Sequence, residues 1–256
     1  MRILAIGDVV GVPGCEHLRK KLPALKKLHG VDFCIINGEN SAAGNGITPQ
    51  SADFLLDSGV DLITTGNHVF RRREIYERLD TDRCIIRPYN YYSGNPGKGY
   101  AVCDMGSVKI GVFNLAGNAF MEGSNPFTAA DEVLKKLEDC RIVLCDFHAE
   151  ATGEKRALGF YLDGRISALF GTHTHVQTAD EQILPGGTGY ITDLGMVGTV
   201  QSVLGVAPEN IITKLKTGMP TRFENNMGEC MLNACLFEID KQSGKTTAVE
   251  RINIKG

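Results

Sequence analysis

The sequence has no apolar run long enough to cross a membrane, and its N-terminus reaches Gly7-Asp8 before a secretory signal could form. Together these absences predict a soluble, cytoplasmic protein with no membrane partner. Strong charge is also missing: with a formal net charge of −3, no global field draws a polyanion, so contact with RNA is not indicated by charge. A nucleotide-sized substrate stays within reach of such a chain. The eight cysteines contain no Cys-x-x-Cys pair, which disfavours a structural zinc site or a redox couple. They sit in apolar runs such as Phe33-Cys34-Ile35 and Val143-Leu144-Cys145, as reduced, buried thiols do. We find no internal repeat, low-complexity tract or linker, so we expect a single domain over residues 1–256, with the oligomeric state left open.

What is present begins with a strand–helix rhythm. The apolar run Arg2–Gly7 ends at Asp8, and Leu18, Leu22, Leu25 and Leu28 predict a helix over Glu16–His29 that Gly30 stops. A second strand, Val31–Asn37, delivers Gly38-Glu39-Asn40. Thr48-Pro49 caps a helix over Gln50–Ser58, and a third strand, Val60–Thr65, delivers Gly66-Asn67-His68. Arg71–Leu79 reads as a short basic helix, followed by a long loop at Pro88–Gly99. A hairpin comes next, and Thr128 caps a helix through Glu138. Strand Arg141–Phe147 ends in His148, and Ile166–Phe170 delivers Gly171-Thr172-His173-Thr174-His175. Asp193–Gly205 reads as a glycine-rich loop, Pro208–Lys216 as a helix, and Cys230–Ile254 as a closing hairpin. An alternating first half and a hairpin-rich second half predict an α/β fold of two packed mixed β-sheets flanked by helices.

Ligands bind beyond the carboxyl ends of strands in such sheets. Taken singly, Asp8, Glu39, Asn40, Asn67, His68, His148, His173 and His175 are each accounted for by turns, caps or packing. Jointly they supply the mixed oxygen and nitrogen donors that divalent cations take, with carboxylate able to bridge and imidazole to terminate. Of the nearby residues, Arg71 is a candidate for phosphate contact and Tyr91 for stacking on a base, while Glu150 is a candidate for orienting an imidazole.

These motifs, in this order, resemble the blocks of calcineurin-like metallophosphoesterases over nearly the whole chain, with their αββα sandwich. More narrowly, Gly7-Asp8-Val9-Val10-Gly11, Asn37-Gly38-Glu39-Asn40, Gly66-Asn67-His68 and Asp146-Phe147-His148-Ala149-Glu150 resemble the YmdB-like branch of bacterial cyclic-nucleotide phosphodiesterases. The Asp-x-His common in the superfamily's first block is absent, because Val10 stands where the His would be; Asn40 is the candidate replacement. The resemblance implies two divalent ions, iron, manganese or zinc. One would be held by Asp8, Glu39, Asn40 and His175, the other by Glu39, Asn67, His148 and His173; which histidine of the last pair serves which ion stays open. With a bridging hydroxide the site keeps about one net positive charge, matched to a phosphodiester monoanion. The implied reaction is hydrolysis of small cyclic nucleotides, 2',3'-cyclic ones foremost, with His68 protonating the leaving group. A phosphomonoesterase or nucleotidase would use the same metals, and a metal-sensing, non-catalytic RNA- or protein-binding factor is the rival from another class.

Overall fold

The structure is a computed structural model describing residues 1–256. Twelve strands form two six-stranded sheets. The first is built around Arg2–Val9 (β1), which pairs in parallel with Phe33–Asn37 (β2), itself parallel to Leu62–Thr64 (β3). On its other side β1 meets Met196–Thr199 (β10) in parallel and Cys230–Ile239 (β11) antiparallel, with Thr246–Lys255 (β12) at the edge. In the second sheet, Tyr100–Asp104 (β4) and Lys109–Ala116 (β5) form an antiparallel hairpin. Ile142–His148 (β6), Ala168–Thr172 (β7) and Gly189–Ile191 (β9) continue from β5 in parallel, and Gln182–Ile183 (β8) closes the far edge.

Alternation along the strands creates the layers. In β1, Ile3 and Ala5 join Phe33, Ile110, Leu144 and Phe170 in a core shared by the two sheets. Leu4 and Ile6 point the other way, onto Leu18 and Leu22 of helix Gly11–His29 (α1) and Leu55 of helix Pro49–Asp57 (α2). Behind the second sheet, Phe113, Val143 and Leu169 pack on helices Pro126–Lys136 (α4) and Thr152–Leu162 (α5). The architecture is therefore the expected two mixed sheets flanked by helices.

Several elements depart from the sequence expectation. Asp193–Gly205 is not all loop: Met196–Thr199 is a strand wedged between β1 and β11, buried on both faces and so without alternation to betray it. Helix α1 starts at Gly11 rather than Glu16, because Val10 enters in an extended conformation and Pro13 falls in the first turn, where no N–H is needed. Arg71–Leu79 divides into a 3-10 turn, Arg73–Ile75, and a short helix, Tyr76–Thr81 (α3). Asn125, not Thr128, caps α4, accepting from the Phe127 and Thr128 N–H groups ahead of Pro126. The Thr48 cap and Pro49 stand where the sequence puts them. No helix is long and apolar enough to cross a membrane.

Candidate metal centre

The strand ends meet at one place. Asp8 lies near the end of β1, Glu39 and Asn40 follow β2, and Asn67 and His68 follow β3, all from the first sheet. The second sheet contributes His148, the last residue of β6, and His173 and His175 after β7. Glu39, His148 and His173 present donor atoms that all lie within 4.8 Å of one another. His148 is packed so closely that a Cβ on Gly66 would collide with its ring, which explains a glycine ahead of Asn67. Arg71 and Glu150 also reach this region, on the wall of the cavity above it.

Glu39 is buried between two groups of donors. Its Oε1 stands 3.1 Å from His148 Nε2 and accepts from Asn40 Nδ2 at 3.3 Å. On one side Asn67 Oδ1 and His173 Nδ1 lie 2.9 and 3.1 Å from His148 Nε2. On the other, His175 Nε2 is 3.4 Å from Asn40 Nδ2 and 3.6 Å from Asp8 Oδ1. Asp8 is fully buried; its Oδ2 accepts the His173 N–H at 3.1 Å, whereas Oδ1 has no hydrogen-bond partner. A buried carboxylate oxygen without a donor is costly unless a cation satisfies it, so the donor set fits divalent ions on an observation of its own.

The electrostatics agree with that fit. Burial pushes the Asp8 carboxyl up, but His175 and the His173 N–H outweigh it and hold the group below the ordinary carboxylate range. Glu39 is likewise lowered, burial being overcome by His148 and His68. Burial opposes a charge on His148, yet Glu39 and Asp8 raise it to about 9. Burial and the His148 charge together lower His173 to about 4. Burial likewise opposes a charge on His175 and Asp8 overcomes it, so the carboxylates favour a proton on both His148 and His175, in the place that a metal ion would take.

A second set of residues, which sequence reasoning did not assign, orients the first. His148 Nδ1 is 2.9 Å from Thr172 Oγ1, and that hydroxyl donates to Asp146 Oδ1 at 2.7 Å. The imidazole must then donate through Nδ1, which leaves Nε2 free as a ligand atom. Asp146 also accepts from Thr64 Oγ1 and, at 3.3 Å, from Asn37 Nδ2. The His173–His175 turn is backbone-strained: the φ angles are 102° at His173 and 62° at His175, unusual for residues with a side chain. Lys155 and Asp193 hold it. Lys155 Nζ, fully buried, donates to Thr172 O at 2.8 Å and to Asp193 Oδ2 at 2.6 Å, and Asp193 Oδ2 accepts the Thr174 N–H at 3.1 Å. Glu150 Oε2 lies 2.9 Å from His173 Nε2, on the outer side of the cluster.

The cluster opens into a cavity of about 600 Å³, lined by Glu39, Asn40, His68, Arg71, His173 and His175 among others. His68 is held at both ends: its N–H donates to Glu39 Oε2 at 2.8 Å, and its Nδ1 lies 2.8 Å from Asn40 Oδ1. Val10, buried just ahead of α1, lines the same cavity. Tyr91 does not line this cavity: its ring packs at 6.2 Å from that of Phe70, and it lines a neighbouring cavity with Arg87, Tyr89 and Asn90, where burial first and then the Glu39 charge push its phenol up.

Two packed mixed sheets with carboxylate, amide and imidazole donors converging from their strand ends define a calcineurin-like metallophosphoesterase fold. Within that class the chain belongs to the family described as YmdB-like protein, whose model matches residues 4–252. It is 45% identical, over 99% of this chain and 97% of the relative, to the Bacillus subtilis (strain 168) protein named 2',3'-cyclic-nucleotide 2'-phosphodiesterase. A crystal structure of a hypothetical protein from Thermus thermophilus superposes with a TM-score of 0.94 at 39% identity, covering 100% of this chain and 99% of that one. The structure of a novel phosphatase from Mycoplasma pneumoniae gives 0.94 at 35% identity, covering 100% and 93%.

Proposed function

We propose that this chain is a binuclear metal phosphodiesterase that hydrolyses small cyclic nucleotides, 2',3'-cyclic ones foremost. The observation that carries this reading is the position of Glu39, buried between a group formed by Asp8, Asn40 and His175 and another formed by Asn67, His148 and His173. A carboxylate so placed is suited to bridge two cations. The activity named for the 45%-identical relative supports the diesterase class. The resident ions, iron, manganese or zinc by donor chemistry, would supply Lewis-acid polarisation of the phosphoryl group and acidify water.

The chain's own residues do the rest. Asp8 and Glu39 provide the negative charge that retains two cations. The Asn40 amide turns Nδ2 toward Glu39 and His175; its role as a ligand requires the half-turned amide, which puts Oδ1 there and gives His68 Nδ1 an N–H partner. His68 then presents Nε2 to the leaving group; burial lowers its pKa and disfavours the imidazolium that would be the acid, and a phosphate anion bound beside it would favour that charged form. Arg71, on the cavity wall, attracts the phosphate. Glu150 orients His173. Eight free cysteines support a reducing, cytoplasmic setting.

The test is metal analysis of the purified protein coupled to a panel of diesters and monoesters, repeated on His68→Ala. Two metal equivalents and diester turnover are expected. The variant should keep its metals and lose turnover by about 100-fold or more, the usual weight of general acid catalysis. A protein that holds two metals and leaves every diester intact would sink the proposal. Monoesters turning over far faster than diesters would make it a phosphomonoesterase, the reading that the phosphatase from Mycoplasma pneumoniae favours.

A further inference from the structure

Between β10 and β11 the chain leaves the sheet at Thr199 and returns at Cys230. The base of this arm is tied by Ala207 N–H to Glu224 O at 3.0 Å and Asn226 N–H to Gly205 O at 3.1 Å. At its outer end lies helix Pro208–Thr217 (α6), none of whose residues is buried. The arm is nevertheless fixed to the metal centre, since His175 Nδ1 is 3.2 Å from Leu204 O. Leu204, Val206, Ile211, Leu215 and Phe223 from the arm line the same cavity as Glu39, His68 and His175. Ile211 and Leu215 are four residues apart on α6, hence on one face. Phosphate chemistry has no use for this wall: apolar side chains offer a phosphate or a cation nothing.

Resting on the phosphodiesterase reading, we infer that the arm is a nucleobase subsite in which the Phe223 ring stacks against the base and so selects nucleotide diesters over diesters without a base. A nucleotide is charged at one end and carries a flat, weakly polar ring at the other. The cavity's lining combines the same two kinds of surface, cation donors with Arg71 and the aromatic and aliphatic side chains of the arm. Phe223 is 37% exposed, and Lys214 Nζ stands 4.7 Å from its ring centroid, so one face is taken and the other is the stacking surface. Asn45 and Asn225, which also line the cavity, carry amides able to pair with ribose hydroxyls or base edges. A stacking platform of this kind accepts any base, so the selection is for nucleotides as a class.

The experiment compares kcat/KM of the metal-loaded protein for 2',3'-cyclic AMP and for the 2',3'-cyclic phosphate of methyl riboside, which lacks a base. Phe223→Ala is expected to lower the preference for the nucleotide about tenfold, mainly through KM, and Phe223→Trp to preserve it. An unchanged preference, or equal losses on both substrates, overturns the subsite. Equilibrium binding of adenosine 3'-monophosphate relative to inorganic phosphate is measured alongside, with the same tenfold drop expected. If the wild type turns over neither cyclic phosphate, the phosphodiesterase reading fails by itself and the binding ratio alone decides the subsite. A change in sedimenting species with both ratios intact would assign the apolar wall to a second copy of the chain and likewise overturn the inference.

Discussion

At the scale of single residues, the groups beneath the ligands matter as much as the ligands. His148 can present Nε2 to the cluster only because Thr172 Oγ1, itself donating to Asp146, accepts from Nδ1. Thr172→Val keeps the shape of the side chain and removes the acceptor, freeing the imidazole to change tautomer. We predict 10–100-fold weaker metal binding, typical when the outer partner of a ligand is lost, read by competition with a chelator. An unchanged affinity would mean that packing alone fixes the ring. The ligand types were legible in the sequence because Asp8, Glu39, Asn67 and His148 each close an apolar run. Their supports were not. Asn37, Thr64, Asp146 and Thr172 come from four strands in both sheets, and only the fold makes them neighbours. Tyr91, an aromatic in a long loop, packs its ring against that of Phe70 and lies outside the cavity over the ligands, a placement that the loop's own sequence does not encode.

Elements show where sequence patterning loses its force. β1, β2 and β6 were readable as apolar runs ending in polar residues, whereas β10 is a four-residue strand rich in small residues that takes its identity from the two strands it fills the gap between. The turn after β7 carries His173 and His175 at positive φ, a conformation that its own sequence does not favour. It is imposed from below by the buried pair of Lys155 on α5 and Asp193 before β10, a role with no local signature because the partners are 38 residues apart. Breaking a buried pair by removing one partner leaves the other charge uncompensated. Lys155→Met should therefore destabilise the fold by about 3–5 kcal/mol, measured by urea denaturation. Adding Asp193→Asn should restore part of that loss, since the stranded carboxylate is gone. If the double variant is no more stable than Lys155→Met, the pair contributes by packing and not by charge.

The whole molecule is organised so that its two sheets share both a core and a site. Ile3, Phe33 and Cys235 of one sheet interleave with Ile110, Leu144 and Phe170 of the other. Above that core, Asp8, Glu39, Asn40 and Asn67 come from the first sheet and His148, His173 and His175 from the second. A pair of cations held there would join the sheets at their open end, and without them Asp8 Oδ1 stays unpartnered in the interior. Each ion that binds only the folded state stabilises it by mass action, about 2.7 kcal/mol at a hundredfold excess over Kd, so the pair contributes about 5 kcal/mol. For a chain of this size each kcal/mol moves Tm by about 2–4 °C, so chelation should lower Tm by about 10–20 °C. We propose further that residues 1–256 form one domain, on the ground that neither sheet keeps a complete core without the other. Calorimetry should then give a single transition with and without metal, its calorimetric and van't Hoff enthalpies equal. Two resolved transitions, with only one shifted by chelator, would instead show that the sheets fold separately and that the ions bind one of them.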